Sequence, residues 1–420
     1  MAETNQSLQT LDALSSVRGG LASEDGMARL KALELCQRLQ LELETPGETL
    51  FRTFWAQTAH HWILFAALDL NIPKILSEDG ESPKTNTQIA KLANAEPVLI
   101  GRLMRHMASM GTVAELGPDT FAHTKFSRYL LTDAATACLT FMRYFQSVST
   151  KAPEYLAQHN YVSPTSPQKA PYVWANGLTD TTFFGHLSQE PKYGPAFAGM
   201  MRAESEGKPT WSDGQLYPVK EKLTDVEDSN GALIVDIGAG NGQDLEWFHK
   251  NHPDMKGRLI LQDLPYITDS VKLDGIEAMA HNFYDEQPVK GKYHFKPQIC
   301  AKNLLSLSTP PGAQVYILHQ IIHDYDDETC LKILRAIIPA MKPGYSKLLI
   351  NELVLPDKGA HWFTTALDIQ LMLCLSARER TRVQFMELVE KVGGGLRVEK
   401  IWTPPGNGML DSLIECTIDP

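Results

Sequence analysis

The sequence holds no Cys-x-x-Cys pair, and none of its six cysteines (Cys36, Cys138, Cys300, Cys330, Cys374 and Cys416) stands at zinc-ligand spacing from a histidine. Thiols spread this widely along 420 residues argue against a disulfide framework and read as reduced cytosolic cysteines. The opening MAETNQSLQTLD has neither a basic segment nor an apolar core, so no secretory signal is read there and the expected location is cytoplasmic. No stretch reaches the roughly 18 consecutive apolar residues of a membrane-spanning helix. Positive charge is in deficit as well: 39 Lys and Arg face 50 Asp and Glu, a formal net charge of −11. That disfavours nucleic acid as a partner, because a phosphate backbone needs a basic surface. Internal repeats and low-complexity tracts are also missing, which excludes solenoid and fibrous classes.

What remains is an ordinary globular composition, 43% hydrophobic and 21% charged. The length favours two domains, since a single core rarely grows past about 250–300 residues. Residues 1–24 are polar and are expected to form a loose tail. From Asp25 to Leu43, leucines recur at helical spacing until Pro46-Gly47. A second helix is expected from Glu48 to Leu68, with Phe51, Phe54, Trp55, Trp62 and Phe65 serving as core or as a subunit contact. Residues 85–131 read as helix, helix, hairpin: a helix capped by Thr87, another from Pro97 to Met110, then strands around a turn at Gly117-Pro118-Asp119. This order resembles a winged helix. Its second helix carries only Arg102, Arg105 and His106, so a structural or dimerising role is the better reading than DNA binding. We divide the chain into a tail (1–24), a mainly helical domain (25–180) and an α/β domain (181–420).

In the second half, buried strands are expected at Ala232–Asp236, Arg258–Gln262, Val315–His319 and Leu348–Leu353, with helices between them. Two closing strands, Leu396–Trp402 and Leu413–Ile418, should pair antiparallel. The first strand runs into Gly238-Ala239-Gly240-Asn241-Gly242. Glycines there let the backbone turn sharply and approach a ligand closely. The spacing is GxGxG, which disfavours a dinucleotide oxidoreductase. Asp263 ends the next strand, where a carboxylate can accept from both ribose hydroxyls of an adenosine-containing ligand.

Five motifs then occur in order: Asp236–Gly242, Gln262-Asp263-Leu264-Pro265, His323-Asp324-Tyr325-Asp326-Asp327-Glu328, Asn351-Glu352-Leu353-Val354-Leu355-Pro356 and Glu379-Arg380-Thr381. Together they resemble the S-adenosylmethionine-dependent O-methyltransferases of the plant caffeate and flavonoid type and their fungal secondary-metabolism relatives. The resemblance implies a Rossmann-like seven-stranded sheet behind a winged-helix domain that dimerises and lids the site. It implies S-adenosylmethionine as cofactor and no metal. Gly238 and Gly240 would shape the methionine side, and Asp263 would hold the ribose. Asn282 and Phe283 would flank the adenine, although relatives usually carry an acid where Asn282 stands. His319 would be a basic cofactor contact, and Phe197, Met201 and Ser205 would line the substrate edge.

By the same resemblance His323 is the general base, oriented by Glu352 and Glu379. The chemistry suits these groups: a sulfonium methyl is already activated, so the protein must place a hydroxyl in line and take its proton. The expected acceptor is a phenolic or enolic hydroxyl of a small aromatic or polyketide-like metabolite, handled by a homodimer. A same-fold protein that binds the cofactor and guides a pericyclic step instead is the alternative. Arg378, Arg380 and Arg382 leave open a solvated, salt-bridged face around Glu379. Asp324, Asp326, Asp327 and Glu328 read as charge complementing a helix N-terminus. Finally, Lys292 to Gly312 separates two motifs that are contiguous in relatives. We read this stretch as a retained intron, which an mRNA spanning it intact would refute; if present in the protein it would be a loop beside the site.

Overall fold

The computed structural model describes residues 2–23, 26–205, 208–224, 226, 231–290, 312–404 and 410–419. The stretch Lys292–Gly312, apart from Gly312 itself, therefore lies outside the described residues, as does most of the loop after Pro404. The chain divides into two compact units, Met1–Arg143 and Tyr144–Pro420. Among the described residues no helix is long and apolar enough to cross a membrane.

The first unit opens with a helix, Ala2–Ser16, where a loose tail is expected. It is ordered by a partner distant in sequence: Thr10 is buried and its hydroxyl donates to Glu42, at 2.9 Å, in the helix Gly26–Leu43. The winged-helix order is present. Strand β1 (Lys84–Thr85) precedes the helices Asn86–Leu92 and Pro97–Ser109, and β2 (Val113–Gly117) and β3 (Thr120–His123) follow. They form one antiparallel sheet in the order β1-β3-β2. Ile89, Ile100, Met104, Met107 and Phe121 fill its core. The cap is Thr85, not Thr87: Thr85 and Gln88 make a reciprocal capping box, which places Thr87 inside the helix. Of the dense aromatic residues only Phe65 is core; Phe51, Phe54, Trp55 and Trp62 are exposed. Two of these, Phe54 and Trp55, ride a π-helical stretch, Arg52–Gln57.

The second unit carries β4 (Ala232–Ile237), β5 (Arg258–Asp263), β6 (Ile276–Ala280), β7 (Val315–His319), β8 (Lys347–Glu352), β9 (Val354–Leu355), β10 (Arg380–Thr381), β11 (Leu396–Trp402) and β12 (Ser412–Ile418). Seven of them form one sheet, ordered β11-β12-β8-β7-β4-β5-β6. The strands from β8 to β6 run parallel, whereas β12 is antiparallel to both β8 and β11. Alternate residues face opposite layers: Tyr316 and Leu318 enter one core and Val315 and Ile317 the other. Burial on both faces explains why the central strands are continuous apolar runs. Strand β6 escapes that pattern because it is an edge whose residues are only half-buried or exposed. Chain order reverses between β4 and β7, and it is at the carboxyl ends of strands at such a reversal that open sheets bind ligands.

The division of the chain falls at residue 143, not near 180. Residues 144–180 belong with the sheet because they pack there: the helix Pro171–Ala175 lies on the helix Trp362–Leu375, and Ser376 Oγ donates to the Ser166 carbonyl at 2.9 Å.

Candidate active site

The glycine turn after β4 is crowded at two of its three glycines and open at the third. Gly238, Gly240 and Gly242 all have positive φ. A Cβ on Gly238 would stand 2.6 Å from Ile321 Cδ1, and one on Gly242 would stand 2.5 Å from Leu261 Cδ1. Only at Gly240 would a Cβ meet open space. Beside that opening, Asp263 Oδ2 accepts from the Gly240 N–H at 2.8 Å and Oδ1 accepts from the Leu264 N–H at 2.7 Å. Each carboxylate oxygen keeps lone-pair capacity for a hydroxyl donor. Phe283 comes within 3.8 Å of the Gly238 Cβ direction. Asn282 is exposed and accepts from the Tyr284 N–H at 3.1 Å. An open backbone cradle, a carboxylate with spare acceptor capacity and an aromatic flank fit the ribose and amino-acid ends of S-adenosylmethionine.

The contact between Ile321 and Gly238 also brings the end of β7 to this turn. The chain leaves β7 through Gln320, whose φ of 52° is strained for a residue with a Cβ. A single 3-10 turn, Ile322–Asp324, then presents His323. Its backbone is held from below: Glu352 Oε1, at the end of β8, accepts from the N–H groups of Ile322 (2.7 Å) and His323 (3.3 Å). The imidazole Nδ1 lies 3.0 Å from Glu379 Oε1 and 3.5 Å from Glu352 Oε2. Nε2 lies 3.5 Å from Asp324 Oδ1. His323 is 4% exposed, Glu379 2% and Glu352 0%. The two glutamates converge because β9 and β10 pair in parallel, Arg380 opposite Val354. The solvated-face reading therefore fails for Glu379 and Arg380, which are buried, although Arg378 and Arg382 beside them are exposed.

Burial works against a charged imidazole here, but the carboxylates of Glu352, Glu379 and Asp324 outweigh it and push His323 up to about 10. The carboxylates answer to their own burial. Asp324 and Glu352 are each pushed up to about 7, with the His323 charge opposing the rise, and Glu379 is raised too. Among the described residues Glu352 Oε2 and Glu379 Oε2 have no hydrogen-bond donor, so at these oxygens nothing offsets the burial that raises both groups.

Four residues upstream, His319 is held differently. Nδ1 pairs closely with Asp244 and Nε2 lies 3.1 Å from Asp411 Oδ2. Burial lowers its proton affinity, yet the two aspartates raise it well above the usual histidine range. Sequence reading missed both aspartates. Asp244 had a local signal, an acid in the first helical turn after Gly242; Asp411 had none, since it meets His319 only through β12. Asp236, buried at the end of β4, holds its proton well above the carboxylate range through burial and the nearby Asp244. Phe197 sits among Phe183 and Phe184, with ring centroids 5.4 and 6.0 Å away. Met201 on the same helix is half-buried, and the Ser205 side chain lies outside the described residues. Asp326 caps the helix Asp327–Ile337 by accepting from the Thr329 N–H at 2.8 Å, as the charge reading anticipated.

Residues 211–394 match the O-methyltransferase domain family, and residues 56–133 match the O-methyltransferase dimerisation domain. Demethylsterigmatocystin 6-O-methyltransferase of Aspergillus parasiticus is 33% identical, over 82% of this chain and 82% of its own length. Among solved structures, LepI in complex with SAM superposes with a TM-score of 0.82 at 27% identity, covering all of both chains. A protein described as a pericyclic reaction enzyme gives the same TM-score and identity, over 98% of this chain and all of that one. With the glycine turn, Asp263 and the His323 turn in these positions, the chain belongs to the S-adenosylmethionine-dependent O-methyltransferase family, in its fungal secondary-metabolism branch.

Proposed function

We propose that this chain methylates a phenolic or enolic hydroxyl of a small specialised metabolite, with His323 as general base. The observation that carries the reading is the state of the His323 ring. Its Nδ1 is committed to Glu379, while its Nε2 approaches only Asp324 among the described residues, at 3.5 Å, on a turn that abuts the glycine cradle through Ile321. Bound S-adenosylmethionine supplies an activated methyl group. Gly238, Gly240, Asp263, Asn282 and Phe283 would hold it, His319 would support that cradle through its pairing with Asp244 in the helix that follows the glycine turn, and Phe197, Met201 and Ser205 would line the acceptor side. His323, once neutral, takes the hydroxyl proton on Nε2; Glu379 and Glu352 orient the ring and stabilise the imidazolium that forms. A phenol titrates at about 10, and the surrounding carboxylates raise the ring's proton affinity towards that range, which suits a neutral His323 to accept such a proton. Such base catalysis contributes about 10²–10⁴-fold.

In this reading the chain acts as a homodimer. The match to the dimerisation domain supports it, and the exposed Phe51, Phe54, Trp55 and Trp62 become subunit contacts.

The test is incubation with methyl-labelled cofactor and extracts of a strain lacking the gene. A labelled small molecule identifies the acceptor; no label transfer to any extract component sinks the reading. The likeness to a pericyclic reaction enzyme favours one second reading, a cofactor-bound cyclase that does not methylate. It predicts a rearranged product with no release of S-adenosylhomocysteine.

A further inference from the structure

Arg380 follows the glutamate that orients His323, yet it is neither on a solvated face nor directed at the reacting groups. It is 1% exposed, among the largest fully buried side chains of the molecule. Its guanidinium spends every nitrogen on the far side of the His323 turn. Nη1 donates to the Ile322 carbonyl at 2.8 Å, and Nη2 donates to the Tyr325 carbonyl at 2.8 Å. Nε and Nη2 also donate to Asp327 Oδ1, at 3.1 and 2.8 Å, and Nη2 reaches Cys330 Sγ at 3.5 Å. Cys330 itself donates to the Ile322 carbonyl at 3.2 Å.

We propose that Arg380 is a positioning residue whose guanidinium holds the carbonyl side of the Ile322–Asp324 turn and thereby sets where the His323 ring stands. The turn lies between opposite buried charges. Glu352 accepts from its N–H groups, at Ile322 and His323, and Arg380 donates to the carbonyls that bracket it, at Ile322 and Tyr325. This arrangement follows the direction of the peptide dipoles, anion at the N–H end and cation at the carbonyl end. Both clamps are in register for one reason: the β9–β10 ladder, Arg380 opposite Val354, fixes Glu352, Glu379 and Arg380 on adjacent backbones. A planar fork can serve two carbonyls and a carboxylate at once, which a lysine ammonium cannot. Without it, among the described residues the Ile322 carbonyl retains the weak Cys330 donor at 3.2 Å and a long bond from the Tyr325 N–H at 3.4 Å, and the Tyr325 carbonyl retains only the same thiol at 3.5 Å. A displacement of about 1 Å at a reacting group costs on the order of 10²-fold in rate.

The inference rests on His323 as the base, so the test separates the two. Arg380→Ala, Arg380→Lys and His323→Gln are made in the full chain. Three quantities are read: S-adenosylhomocysteine affinity by calorimetry, kcat and KM with a resorcinol ketone as acceptor probe, and the titration of the His323 ring by NMR with labelled histidine, assigned through His323→Gln. Arg380→Ala is expected to bind S-adenosylhomocysteine within about threefold of the parent while kcat falls about 10²-fold and acceptor KM moves far less. Free guanidinium should restore part of the loss, Arg380→Lys should lie between, and the His323 midpoint should move. A folded Arg380→Ala with parental kcat and an unmoved His323 titration overturns the inference. So does joint loss of thermal stability and S-adenosylhomocysteine binding that guanidinium does not recover, since that marks a purely structural role. If Arg380→Ala does not fold, Arg380→Lys decides alone: a lowered kcat at constant KM supports positioning, and unchanged kcat overturns it. If the probe is not turned over, the NMR titration decides. Parental activity in His323→Gln fails the base reading alone and leaves Arg380 to be judged by the His323 titration.

Discussion

His319 and His323 stand four residues apart on one segment, and both rings are surrounded by carboxylates that raise their proton affinity. Their commitments differ. His319 ends β7 and gives both ring nitrogens to aspartates, Asp244 from the helix after the glycine turn and Asp411, the residue just before β12. It is a cationic tie between three elements, with no nitrogen left for proton transfer. His323 sits one turn later, beyond the left-handed Gln320, and gives only Nδ1 to a hydrogen bond. Proton affinity therefore does not distinguish the two rings; the number of ring nitrogens without a hydrogen-bond partner does, and the proposed base is the ring that keeps one.

That contrast is broken most directly by His323→Gln. Its methyl transfer should fall by about 10²–10⁴-fold while calorimetry shows S-adenosylhomocysteine binding nearly unchanged; a parental rate would erase the difference between the rings. The next largest effect belongs to His319→Gln, which leaves Asp244 and Asp411 without their shared cation. Urea unfolding should show a loss of about 1–3 kcal/mol, with weakened cofactor binding and a nearly parental kcat at saturation. The pH dependence has a definite sign: the folded state raises the proton affinity of His319, so its stabilisation is complete below the ordinary histidine value of about 6.5 and is lost as pH rises through the raised value. An acidic optimum of the stability difference between parent and His319→Gln is therefore expected; a difference that grows towards alkaline pH contradicts the tie.

Glu379→Gln sharpens the other side. Removing one of three carboxylates should bring the rising limb of the pH–rate profile down from the region set by a ring near 10, with a loss of about tenfold in kcat. A limb that stays in place would mean that Glu379 does not set the ring's proton affinity. The smallest effect is expected for Asp411→Asn, which keeps a hydrogen-bond acceptor but not the charge. It should cost about 1 kcal/mol or less and leave the pH–rate profile unmoved.

Much of this architecture was legible from residue pattern. Strands buried on both faces are continuous apolar runs, so β4, β5, β7 and β8 stand out, and glycines stand where a Cβ would collide with Ile321 or Leu261. The three catalytic candidates converge as the five-motif resemblance implied. Strand β6 was not legible because an edge strand with no fully buried residue has no pattern to show. The helix Ala2–Ser16 was not legible because its order comes from contact with Gly26–Leu43, and the boundary at 143 was not because residues 144–180 are held by distant helices. The burial of Arg380 was not legible for a related reason: three arginines around Glu379 left a charged surface open as an alternative, and only the β9–β10 pairing buries the middle one.

Local chemistry was thus written along the chain: the turn, the acid at the next strand end, the histidine after β7 and its two glutamates. Folding decided protonation and commitment, because these depend on distances between groups far apart in sequence. Asp411 meets His319, Glu379 meets His323 and Arg380 meets Ile322 only once the sheet has formed. A charge acts through space and through the water excluded around it, and neither is a property of neighbouring residues alone.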